Sequence, residues 1–71
     1  MSKVEVIVKV KDSSADKMPE IAKQCEQVGM RLGQQMKSLG MISGEVERAN
    51  IGKLERIRGV AYVEESREIK L

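Results

Sequence analysis

Val4, Val6, Val8 and Val10 alternate with Lys3, Glu5, Ile7, Lys9 and Lys11. A period of two belongs to a strand with one buried face, so residues 3–11 are expected to form a strand with its valines inward. Ile7 is the exception, an apolar side chain on the otherwise charged side. Asp12-Ser13-Ser14 then reads as a turn able to cap a helix. Met18, Ile21, Ala22, Cys25 and Val28 recur at spacings of three and four, with Lys17, Glu20, Lys23, Gln24 and Gln27 on the outside. That is the pattern of an amphipathic helix. Pro19 suits its first turn, where a missing N–H costs little, and Gly29 suits its end.

Met30, Leu32, Gln34 and Met36 alternate with Arg31, Gly33, Gln35 and Lys37, which predicts a second strand over roughly 30–38. Leu39-Gly40 is the expected hairpin turn, and a third strand follows over about 41–47 with Ile42, Gly44 and Val46 inward. Arg48-Ala49-Asn50 leads into a short helix with Ile51, Leu54 and Ile57 on one side, ended by Arg58 and Gly59. A last strand begins at Val60 and is expected to run to about Ile69. The order strand, helix, strand, strand, helix, strand is the split βαβ, or ferredoxin-like, α+β arrangement. Right-handed crossovers place both helices on one face of a four-stranded antiparallel sheet. The opposite face is left bare, and alternation puts Ile7, Met41, Val60 and Tyr62 on it among Lys, Glu and Ser residues. A partly apolar, uncovered sheet face is a candidate docking surface. The second and fourth strands are the expected edges, and exposed edges can pair between molecules. The expected state is a monomer or a weak homodimer.

Composition narrows the chemistry. The chain has 71 residues, 13 basic and 11 acidic, for a net charge of +2, enough for one small domain spanning residues 1–71. The charges are scattered, as on a solvated surface, and Tyr62 is the sole aromatic, so nucleic acid is not an expected partner. There is no histidine and one cysteine. Ser-His nucleophile pairs, histidine metal sites and thiolate clusters are therefore excluded, and no cofactor is expected. Cys25 lies on the apolar stripe of the first helix and reads as core filling. Gly29, Gly33, Gly40 and Gly44 match no phosphate-binding loop. No apolar run reaches 18 residues, so no membrane partner is expected. Met1-Ser2-Lys3-Val4-Glu5 reaches an acidic residue at once and does not read as a secretory signal, so the expected location is cytoplasmic.

One stretch carries a sharper indication. Gly59-Val60-Ala61-Tyr62-Val63-Glu64-Glu65, preceded by Leu54-Glu55-Arg56-Ile57-Arg58, resembles the end of the propeptides of subtilisin-like serine proteases. The likeness extends over Leu39-Gly40-Met41-Ile42-Ser43-Gly44-Glu45-Val46 and Ile51-Gly52-Lys53-Leu54, so nearly the whole chain is similar to the subtilisin propeptide and peptidase-inhibitor family. The resemblance implies a mechanism. The open sheet face would lie across two helices of a protease, with Tyr62 on that face and Glu64 capping a positive helix N-terminus. Ser66 stands where the family often has an acid, and its hydroxyl can cap without charge. Arg67, Glu68, Ile69, Lys70 and Leu71 would form the tail that enters the substrate cleft as an extended, product-like peptide. Glu68 departs from the apolar residue often found at that tail position. With no protease domain after Leu71, the expected member is a free-standing inhibitor or folding chaperone. The alternative is a regulatory or oligomerisation module of the same fold without a protease partner.

Met1-Ser2-Lys3-Val4 and Gly29-Met30-Arg31-Leu32-Gly33-Gln34-Gln35-Met36 also resemble small proteins that carry the name ketohydroxyglutarate aldolase. Such an aldolase is a (β/α) barrel, which needs roughly 200 residues or more. Its Schiff-base lysine must be desolvated, whereas every lysine here falls on a predicted outer face or a turn. The expectation is binding, not catalysis.

Overall fold

A computed structural model describes residues 2–65. Four strands, β1 (Lys3–Val10), β2 (Arg31–Met36), β3 (Met41–Glu47) and β4 (Val60–Glu65), alternate with two helices, α1 (Met18–Gln27) and α2 (Ile51–Glu55). The sheet order is β2-β3-β1-β4, and every neighbouring pair is antiparallel. This is the ferredoxin-like arrangement, with β1 and β3 central and β2 and β4 at the edges.

Helices of ten and five residues are too short to persist alone in water, so they form because the sheet offers them an apolar surface. From the sheet come Val6, Val8, Val10, Ile42 and Val46. From the helices come Met18, Ile21, Ala22, Cys25 and Leu54, and the twelve buried residues are completed by Met30 and Val60. All helix contributions meet the valine face of β1, so both helices cover one side. The four open-face residues of β1, Lys3, Glu5, Ile7 and Lys9, take no part in that cluster. Every buried side-chain polar atom among the described residues has a hydrogen-bond partner.

Three sequence expectations change. Asp12-Ser13-Ser14 opens a 3-10 segment, Asp12–Lys17, with no side-chain cap at its own start or at that of α1. The turn is closed by backbone instead, Ser14 N–H donating to Lys11 O at 2.8 Å. Second, Val60 is in the core, 6% exposed, not on the bare face. Lys9 pairs with Tyr62 while Val10 pairs with Val60, so Ala61 is an extra residue in β4. This bulge reverses the alternation, bringing Val60 and Val63 to the helix side and leaving Tyr62 on the other.

Third, β2 is shorter than expected and carries a bulge of its own. Leu32 pairs with Gly44 and Gln35 with Ile42, so Gly33 and Gln34 together oppose Ser43. Ser43 Oγ accepts the Gln34 N–H at 3.0 Å, which satisfies a donor that the ladder cannot. Beyond the bulge the faces exchange, so that Gln35 sits on the side of Ile42 and Met36 on the side of Met41. The chain then turns through a 3-10 segment, Lys37–Leu39, into Gly40, whose φ of 66° is left-handed and favours a residue without Cβ. The part of the last strand expected beyond Glu65 lies outside the described residues.

Candidate functional site

Residues directly opposite one another in an antiparallel pair project from the same face, so the pairing register lays out the uncovered side in rows. The first row runs Met36, Met41, Lys9, Tyr62 from one edge to the other. The next contains Ser43, Ile7 and Glu64. A third has Arg31, Glu45 and Glu5, and Glu47 and Lys3 close the far end. The face is thus apolar where the β2–β3 hairpin turns and charged at the opposite end.

Tyr62 is 48% exposed and Leu39, at the hairpin, 55%. Ile7, Met36 and Met41 are half-buried. Lys9 stands amid the apolar row, but its ammonium reaches the turn and donates to Leu39 O at 2.8 Å. The lysine stem covers part of the row while its charge holds the hairpin, the usual division of labour for this side chain. Between the apolar and charged ends lies a hollow of about 440 Å³ lined by Ile7, Ser43, Gly33 and Gly44, with Arg31, Glu5 and Glu45 at its border. Gly33, opposite Ser43, contributes no side chain to fill it.

Glu64 and Glu65 part company. Glu64 is exposed opposite Ile7 on the open face. Glu65 pairs with Val6, on the helix side, and meets Arg48 through two contacts, Nη1 to Oε1 at 3.1 Å and Nη2 to Oε2 at 3.0 Å. An exposed pair of this kind contributes at most about 1 kcal/mol, yet it commits Glu65 to the protein's own frame. Of the residues singled out from the sequence, Tyr62 and Glu64 therefore share the uncovered face. Ser66, Arg67, Glu68, Ile69, Lys70 and Leu71 lie outside the described residues.

Two contributors to this face were not anticipated. Met36 reaches it only because of the β2 bulge. The sequence did hold one signal, since an isolated glycine inside a strand, here Gly33, often marks a bulge. The hollow depends on which residues meet across β2 and β3, Gly33 against Ser43 and Leu32 against Gly44, and that is a matter of register. Burial holds the Cys25 thiol well above its ordinary value, from 9.0 to about 11, so the reactive thiolate is scarce at neutral pH. Among the described residues no group of three or more His, Cys, Asp or Glu could hold a metal ion, and no helix is long and apolar enough to cross a membrane. No family model and no curated protein matches the chain.

Proposed function

We propose that this protein binds a subtilisin-like serine protease through the open sheet face and the segment after β4, acting as an inhibitor or folding chaperone. The observation that carries the proposal is the uncovered face itself, with Tyr62, Met41, Met36 and Ile7 presented beside Glu64. Apolar groups at half exposure supply binding energy when a partner covers them, at roughly 25 cal/mol per Å² removed from water. Glu64 stands on that face as an acid able to meet the N-terminus of a partner helix, a contact worth about 0.3–1 kcal/mol. Residues 67–71 would follow β4 into the partner's substrate cleft as an extended peptide. The likeness of Val60-Ala61-Tyr62-Val63-Glu64-Glu65 to propeptide ends supports the same reading.

The test is a titration of a subtilisin with the intact protein and with a form lacking residues 67–71. Inhibition by the intact protein, weakened at least about tenfold by the truncation, is the expected result. Equal inhibition by both would remove the tail from the mechanism. No inhibition by the intact protein would reject the protease reading and leave a regulatory or self-associating module as the better account of the same face.

A further inference from the structure

We propose that Met36 and Met41 form a paired oxidation site, at which a peroxide converts the apolar end of the open face into a polar one without unfolding the protein. The inference stands apart from the protease reading, because it concerns the face and not the partner. Its basis is placement. The β2 bulge brings Met36 directly opposite Met41, and both side chains are half-buried on the uncovered side. Two further methionines provide an internal contrast. Met18 is 0% and Met30 3% exposed, and the Met30 methyl fills the space where a side chain on Gly44 would stand.

The oxidant is a hydroperoxide such as hydrogen peroxide. A thioether lone pair attacks the distal peroxide oxygen, the O–O bond breaks, and a sulfoxide S–O bond forms. Sulfur is oxidised by two electrons and hydrogen peroxide is reduced to water. An apolar, flexible side chain becomes a polar one. At Met18 or Met30 that change would disrupt the core. At Met36 and Met41 it falls next to the hairpin and in the same row as Tyr62, at the apolar end of the open face. Each sulfoxide has two epimers, reduced by different enzymes, so the modification is reversible.

The intact protein is treated with graded hydrogen peroxide, mapped by peptide mass spectrometry, and run on a hydrophobic-interaction column. Met36 and Met41 are expected to gain oxygen at least about tenfold faster than Met18 and Met30, whose oxidation waits on opening of the core. Circular dichroism is expected to stay unchanged throughout, while retention falls and is restored by the two sulfoxide reductases together. The variant carrying Met36→Leu and Met41→Leu should keep its retention under peroxide. Oxidation of Met18 or Met30 at a comparable rate, loss of structure along with the first sulfoxides, or unchanged retention of the doubly oxidised protein would each overturn the proposal.

Discussion

Gly44 and Gly52 are chemically identical positions with opposite requirements. A Cβ on Gly44 would collide with Arg31 O and lie 2.7 Å from the Met30 methyl, whereas nothing stands within 4 Å of a Cβ on Gly52. Gly44→Ala must displace the β2 backbone and is expected to cost about 1–3 kcal/mol in urea unfolding. Gly52→Ala, inside α2, should stabilise by about 0.5–1 kcal/mol through helix propensity. A second residue-scale prediction concerns Cys25, fully buried and titrating near 11 instead of 9.0 because burial disfavours the thiolate. A raised folded-state value means that its stabilisation is complete below about pH 9 and is lost as pH climbs through 11. The wild type should lose about 2 kcal/mol more than Cys25→Ala between pH 8.5 and 11. Parallel losses in the two proteins would show that other groups account for the alkaline decline.

At the scale of elements, the kinds and order of the elements were legible, and the sides on which some residues fall were not. The unbroken alternation of β1 placed its valines and Ile7 correctly, because a regular strand keeps its period. The stripe from Met18 to Cys25 likewise fixed the buried side of α1. Alternation failed at the two edges, where one extra residue in each strand exchanges the faces. It misplaced Val60, and nothing in Val-Ala-Tyr announces the bulge at Ala61. The bulges also bear on association, since an irregular edge twists away from a potential partner strand. Removing Ala61 would restore an unbroken register of Val60 with Val10, Tyr62 with Lys9 and Val63 with Val8. That deletion variant is expected to stay folded by circular dichroism but to self-associate more strongly than wild type in sedimentation velocity. A monomeric, folded variant would mean that the bulge has no protective role.

For the molecule as a whole, the two-layer plan followed from element order, because crossover handedness leaves few ways to cover such a sheet. The uncovered side was legible for the same reason. Its division into an apolar and a charged end was not, since that depends on the bulge that delivers Met36 and on the hairpin that draws the Lys9 ammonium toward Leu39 O. The separate fates of Glu64 and Glu65 also required the fold: neighbours in sequence, they leave opposite sides of β4, and only long-range packing brings Arg48 to one of them.

The hollow bordered by Gly33, Gly44 and Ile7 means that the broad side of this protein behaves as a mould with a dent in it. A smooth visitor pressed against it would seal in solvent and forfeit contact at the centre. A visitor carrying a single bulky knob would fill the dent, so one protruding residue on the other molecule would decide much of how tightly the two hold.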